Sequence, residues 1–302
     1  MSPQKKIGIT GASGFIGKQL VKHYLNNNYK VVVLTRDESK FKKHPNLEVF
    51  HLDLLNPKKE ILKKFLFDLD VLFHLAAELR DVNTIHKINV VAFNEVLNFI
   101  NTSKTHLIYL SSIGIYDFKS QSDITETSLF NPNNTYEKSK LQAEKLITNK
   151  INLKTTVLRP ATVIGKSMKS KLLKQLNKRS NSFITINIDP NTIANFILVE
   201  DVVHALKLIE TNQASKGQQY NLSRDISLKT FFENLKISRK NQIKIPSFVF
   251  LSFLKILSFL NIHKSSYIFF TNKTTVNTSK IEKELNFVYQ SNYKTFLNEY
   301  HK

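Results

Sequence analysis

The chain has no cysteine and no tryptophan. Without cysteine there is neither a disulfide framework nor a thiolate metal site, and cysteine usage gives no reading of the redox compartment. The nine histidines are scattered without ligand-like pairing, so no metal is expected. Acidic residues are in deficit, 24 Asp and Glu against 44 Lys and Arg, for a formal charge of +20 over 302 residues. Such an excess invites a nucleic-acid partner. The lysines, however, are spread along the whole chain, and no aromatic-basic interleaving accompanies them, so none is expected. Lysine, asparagine and isoleucine are abundant together, which reads as a compositional bias of the source genome; an anionic substrate or membrane surface is the alternative. Repeats and low-complexity linkers are also missing. Met1 to Lys6 leads directly into the first apolar run, leaving no room for a signal peptide. The expectation is a cytoplasmic protein, with peripheral contact at the inner face of the membrane as its variant.

Glycine is scarce too, at seven residues, yet three of them stand at 11, 14 and 17. They lie in Thr10-Gly11-Ala12-Ser13-Gly14-Phe15-Ile16-Gly17, directly behind the apolar Ile7-Gly8-Ile9 and ahead of an amphipathic stretch from Lys18 to Asn26. A short buried strand, a glycine turn and a helix open a dinucleotide-binding βαβ unit. Gly11 permits the tight turn, Gly14 lets backbone N–H groups approach a pyrophosphate, and Gly17 lets the helix pack on the sheet. The pyrophosphate then lies at the positive end of the helix dipole.

Strand and helix patterns alternate through about residue 165, with strands near 6–10, 30–35, 47–50, 70–75, 107–111 and 155–159. That alternation predicts an α/β fold with a doubly wound parallel sheet. Tyr136 and Lys140 form a Tyr-x-x-x-Lys at the start of a helical stretch, which puts phenol and ammonium on one helix face. A neighbouring ammonium favours the phenolate and is expected to lower the Tyr136 pKa towards working pH, making it a general acid/base. Ser112 stands about two dozen residues earlier, after the buried run 107–110.

The G-x-x-G-x-x-G spacing and the T-G-A-S-G-F-I-G wording resemble the extended branch of the short-chain dehydrogenase/reductase superfamily, the sugar-nucleotide epimerases, dehydratases and ketoreductases. Further segments resemble it in order over roughly residues 5–225: His51-Leu52-Asp53-Leu54, Leu72-Phe73-His74-Leu75-Ala76-Ala77, Ile88-Asn89-Val90, Leu158-Arg159-Pro160-Ala161-Thr162-Val163-Ile164-Gly165, Val199 to Leu206, and Tyr220-Asn221-Leu222. The resemblance implies a Rossmann-type domain over 1–165 and a smaller, interleaved substrate domain over 166–302, with about 192–225 returning to the first. It implies Ser112, Tyr136, Lys140 and Asn89 as the catalytic set. Cofactor contacts fall to Gly11, Ser13, Gly14, Phe15, Ile16, Gly17, Arg36, Asp53, Leu54, Leu75, Ala76, Ala77, Tyr136, Lys140 and Pro160. The implied activity is NAD(P)-dependent chemistry at a carbinol or keto carbon of a nucleotide- or polyprenyl-diphosphate-linked sugar, as 4-ketoreductase or 4-epimerase. A homodimer is expected. A catalytically idle NADP-binding scaffold or redox sensor is the alternative. Glu78 and Asp117 depart from the family's usual residues at their positions, and the segment after Gly165 lacks the Gly-Pro-rich stretch of larger epimerases.

The second strand ends in Thr35-Arg36, where NAD-preferring members carry an acid. Arg36 is suited to a 2′-phosphate, so NADP is favoured over NAD. The basic stretch Lys166 to Asn181 is expected to open the substrate domain as a helix. Residues 245–262 form the most apolar segment, with Ser252, Lys255 and Ser258 as a polar stripe. A proline and a central lysine argue against spanning a bilayer, and flanking cations suit an anionic membrane surface, so the segment is read as a packed helix or a peripheral membrane contact.

Overall fold

The computed structural model describes residues 4–150, 152–165, 184–186, 189–234, 243–245, 251–252, 255 and 270–299. Strand β1 (Lys6–Thr10) runs through the glycine turn into helix α1 (Phe15–Asn26), then β2 (Lys30–Thr35), β3 (Leu47–His51), α2 (Lys59–Leu66) and β4 (Val71–His74). A π-helical turn, Lys87–Ala92, joins α3 (Val82–His86) to α4 (Phe93–Phe99), and β5 (His106–Leu110) follows. After β6 (Asp123–Ile124) come α5 (Thr135–Thr148), β7 (Thr155–Pro160), β8 (Thr162–Ile164), β9 (Ile184–Ile186), β10 (Ile193–Leu198) and α6 (Val199–Thr211). The described chain continues with β11 (Gln219–Leu222), β12 (Arg224–Ser227), α7 (Leu228–Asn234), β13 (Ile243–Ile245), β14 (Thr275–Val276), α8 (Ser279–Leu285) and α9 (Tyr293–Glu299).

Seven strands form one parallel sheet in the order β11-β7-β5-β4-β1-β2-β3. The order reverses beside β1, the place where a doubly wound sheet opens a crevice at the carboxyl ends of its strands. Period-two alternation divides the apolar residues between the two faces. Ile7, Ile9, Val31, Val33, Phe73 and Ile108 pack with Leu20, Tyr24, Val202, Leu206 and Ile281 from α1, α6 and α8. Val32, Leu34, Leu72 and Leu107 pack with Leu62, Phe65, Phe93, Val96 and Ala143 from α2, α4 and α5. Each such fully buried side chain contributes about 1.5–3 kcal/mol before chain entropy is charged against it. This is the expected Rossmann-type α/β architecture.

The segment 192–225 divides between two sheets. β10 lies in a three-stranded sheet, β12-β10-β8, whereas β11 forms the edge of the large one. A second small core of Ile164, Phe196, Leu198, Leu228, Phe231 and Leu297 backs the three-stranded sheet.

Candidate active site

A cleft of about 1350 Å³ lies at the carboxyl ends of the parallel strands. Its floor is the glycine turn. Gly11 sits at φ +66°, in the left-handed region, and Gly14 N–H donates to Gly11 O at 2.9 Å to close the turn. A methyl group on Gly17 would come within 2.3 Å of Gly11 O and 2.7 Å of Ala12 Cα, so α1 rests directly on that backbone. α1 has neither a side-chain cap nor an acidic residue in its first turn. Its first N–H groups therefore keep their capacity to bind an anion. Gly11, Ser13, Gly14, Phe15, Ile16 and Gly17 all line the cleft.

The other expected cofactor positions converge on the same cleft: Arg36, Asp53, Leu54, Leu75, Ala76, Ala77, Tyr136, Lys140 and Pro160. Arg36 is exposed at the end of β2. Asp37 turns away to cap the next turn, its carboxylate accepting Ser39 N–H at 3.1 Å. Asp53 has a local role as well, accepting Leu55 N–H at 3.0 Å. The Ala76 N–H donates to Thr10 Oγ1 at 3.2 Å, and that hydroxyl lies 3.1 Å from His74 Nδ1. Burial pushes the His74 imidazole down to about 3, so it is neutral and shares a hydrogen bond with the Thr10 hydroxyl. Glu78 and Asp117 tie their own loops: Glu78 Oε1 accepts the N–H groups of Leu79 and Arg80, and Asp117 accepts Lys119 N–H.

Ser112, Tyr136 and Lys140 all line this space. Ser112 Oγ accepts Gly114 N–H at 3.1 Å, which leaves its proton free to point into the cleft. Lys140 Nζ donates to Leu110 O at 2.7 Å and stands 4.8 Å from the Tyr109 ring centroid and 5.8 Å from that of Tyr136. Burial lowers the Lys140 pKa to about 7. Tyr136 differs from the sequence expectation. Burial, aided by the adjacent Glu137 carboxylate, raises its pKa above the ordinary phenol value. The lysine's charge is directed at a carbonyl and at Tyr109, and its own burial weakens it. Ser111 Oγ, beside Ser112 on the cleft wall, is buried without a hydrogen-bond partner.

Asn89 does not line the cleft. It is 2% exposed in the π-helical turn, where Oδ1 accepts Glu78 N–H at 2.8 Å and Nδ2 donates to Glu78 O and to Ser139 Oγ, both at 2.9 Å. It thus ties the loop after β4 to the helix that carries Tyr136, a positioning role rather than a contact with reacting atoms. Arg159 likewise points away from the cleft. Its guanidinium forks onto Glu144, at 3.0 Å through Nε and 2.6 Å through a terminal nitrogen, and reaches the Tyr116 hydroxyl, which donates to Asn221 Oδ1 at 2.9 Å. This buried network fixes α5 against β7. Glu144 extends the Tyr136, Lys140 spacing by four more residues, the pattern that marks it as part of the same helix face. The far wall of the cleft comes from Thr162, Val163, Ile193, Asn195 and Asn272, with Asn272 Nδ2 donating to Asn195 Oδ1 at 2.7 Å. Asn195 and Asn272 belong to remote segments and carry no motif of their own.

The basic stretch 166–181 lies outside the described residues. Of the apolar segment 245–262, Ile245 ends strand β13, residues 251, 252 and 255 are helical, and the rest lies outside the described residues. No helix among the described residues is long and apolar enough to cross a membrane, and none of their His, Asp and Glu side chains form a group fit for a metal.

The uncapped helix start, the left-handed Gly11 and the unpartnered Ser111 hydroxyl fit a nicotinamide dinucleotide, and with the Ser112, Tyr136 and Lys140 set they define an oxidoreductase of the extended short-chain dehydrogenase/reductase class. The chain belongs to the NAD dependent epimerase/dehydratase family, whose model matches residues 7–223. Among relatives, it is 28% identical to GDP-6-deoxy-D-talose 4-dehydrogenase of Aggregatibacter actinomycetemcomitans, over 68% of this chain and 71% of that one. It is also 28% identical to methionine adenosyltransferase 2 subunit beta of Bos taurus, over 64% of this chain but only 54% of the relative. The fold is similar to that of UDP-glucuronic acid 4-epimerase from Bacillus cereus in complex with NAD, with a TM-score of 0.75, 20% identity and coverage of 98% and 97% of the two chains.

Proposed function

We propose that the protein is an NADP-preferring oxidoreductase acting on a nucleotide- or polyprenyl-diphosphate-linked sugar, at a carbinol or keto carbon, as a 4-ketoreductase or 4-epimerase. The observation that carries this reading is the convergence of Ser112, Tyr136 and Lys140 on the cleft floored by the glycine turn. The family and the sugar-nucleotide chemistry named in its relatives support the substrate class. A bound nicotinamide cofactor supplies the hydride acceptor or donor. Tyr136 holds the proton at the reacting sugar oxygen, and its raised pKa keeps it protonated as the acid of the reductive direction. Ser112 offers its free hydroxyl proton to the same oxygen. Lys140, anchored on Leu110 O, stands 5.8 Å from the centre of the Tyr136 ring, where it would hold the nicotinamide ribose. Exposed Arg36 meets a 2′-phosphate in a charge-assisted pair, which is the basis of the NADP preference. The reading includes a homodimer in the cytoplasm.

The second reading is a catalytically idle NADP-binding scaffold or redox sensor, which the same glycine turn and cleft would serve. The intact Ser112, Tyr136 and Lys140 weigh for catalysis. Tyr136→Phe separates the two, since it keeps the ring and removes only the hydroxyl. Turnover should fall by about 10²-fold or more while cofactor affinity stays near wild type, the scale of losing a general acid/base. Full activity in this variant, measured as conversion of the sugar-nucleotide substrate, removes Tyr136 from its role.

A further inference from the structure

The far wall of the cleft carries two amides that the chemistry described above does not use. In the sheet β12-β10-β8, Ala194, Phe196 and Leu198 turn to the small core. Ile193 and Asn195 alternate to the other face and line the cleft with Thr162 and Asn272. This wall adjoins Pro160, since Thr162 stands two residues further on and pairs with Phe196, the neighbour of Asn195. Neighbouring groups lock both amides. Asn195 Nδ2 donates to Asp225 Oδ1 at 2.9 Å and to Thr274 O at 3.1 Å. Asn272 Nδ2 donates to Ile193 O at 2.9 Å and to Asn195 Oδ1 at 2.7 Å, while Asn272 Oδ1 accepts Thr274 N–H at 3.2 Å. Rotating either amide would press its oxygen against a carboxylate or a carbonyl, so the orientation is fixed. Asp225 is held in turn by the Ser223 hydroxyl and by Val276 N–H.

An amide nitrogen has two hydrogens, and here both are used within the wall. An amide oxygen has two lone pairs, and each of these oxygens accepts one such bond from the wall. What Asn195 and Asn272 offer a ligand is therefore acceptor capacity, from two neighbouring oxygens. A phosphate also only accepts, so it gains nothing here. Among the described residues, the cations lining the cleft are Arg36 and Arg80, from the loops after β2 and β4, and Lys140 on α5. Uracil fits the wall poorly as well, because its single N–H is flanked by two carbonyls. Two adjacent donors fit it, as in the N1–H and N2–H edge of guanine or a vicinal pair of sugar hydroxyls.

We propose that Asn195 and Asn272 form a subsite that reads two adjacent neutral donors on the substrate, either the guanine edge of a nucleotide or a vicinal diol of the sugar. The inference rests on the sugar-nucleotide reading of the cleft. Calorimetric binding to the cofactor-loaded protein tests it with two matched pairs of probes. One pair is GDP-mannose and its inosine analogue, which lacks only the exocyclic amino donor. The other is UDP-glucose and an analogue whose ring hydroxyls are replaced by fluorine. In one of the pairs the wild type should bind the donor-bearing member about tenfold or more tighter, since a site built for a donor rejects a ligand without it. That preference should vanish in Asn195→Ala and in Asn272→Ala, and the pair that shows it identifies the donor. An amide with a purely structural role would weaken both members of a pair alike. Equal binding within both pairs by the wild type, or a preference that survives in either variant, overturns the shared subsite and leaves the sugar-nucleotide reading standing. Failure of the wild type to bind any of the four probes overturns the nucleotide-linked form of that reading, and this inference with it.

Discussion

Asn89 offers the sharpest separation of packing from chemistry. Its side chain makes three hydrogen bonds, with Glu78 N–H, Glu78 O and Ser139 Oγ, at 2.8–2.9 Å and almost out of reach of water. Asn89→Ala removes all three and opens a void too lined with backbone polar groups to be neutral. A buried group left without its partner costs about 1–3 kcal/mol. Ser139 keeps its bond to Tyr136 O, and half-buried Glu78 can recruit water. The net loss should therefore be about 2–4 kcal/mol, read as a fall in the denaturant midpoint without a change in slope. The same change unties the Leu75 to Glu78 loop from α5, so turnover should fall by about tenfold, since a small misplacement of reacting groups is costly. Cofactor affinity should move less, because Arg36 and the glycine turn are untouched. Asn89→Asp keeps the acceptor for Glu78 N–H but turns a carboxylate oxygen onto Glu78 O in a buried site, so it should restore neither stability nor turnover. Asn89→Ala with wild-type stability and turnover would refute the positioning argument.

Arg36→Ala should weaken NADPH by about 2–3 kcal/mol, the size of a charge-assisted pair, and leave NADH nearly unchanged in fluorescence titrations; equal losses for both would place the side chain in solvent. Gly17→Ala drives a methyl group into Gly11 O and Ala12, backbone atoms that cannot swing aside, so it should cost about 1–3 kcal/mol of stability and weaken both cofactors together. Lys140 has a folded pKa of about 7, below that of the unfolded chain, so the unfolded state binds the extra proton between pH 7 and 10. Its contribution to stability should rise with pH across that window, and Lys140→Met should flatten the rise in urea titrations.

The Rossmann-type fold was legible because a parallel sheet buried on both faces writes itself as short apolar runs, and the strands predicted near 6–10, 30–35 and 47–50 lie within a residue of β1, β2 and β3. The cleft was legible wherever a residue type is forced by geometry, as at Gly11 and Gly17, or by spacing along one helix, as at Tyr136 and Lys140. Asn195 and Asn272 escaped because they meet only through tertiary pairing of segments almost eighty residues apart. The Tyr136 pKa was misjudged for a related reason. A helix spacing shows that Lys140 is near, but not that Leu110 O claims its Nζ or that burial outweighs the charge.

The central claim is that this cleft moves hydride between a nicotinamide and a sugar carbon with Tyr136 handling the proton. Incubating the protein with NADPH deuterated at the transferred position and a keto-sugar nucleotide, then weighing the sugar by mass spectrometry, tests it most directly. The account predicts one deuterium on the sugar's carbinol carbon with the wild type and almost none with Tyr136→Phe at equal cofactor saturation. Tight binding of NADPH with no deuterium passing to any keto-sugar nucleotide would contradict it and leave a dinucleotide-binding scaffold.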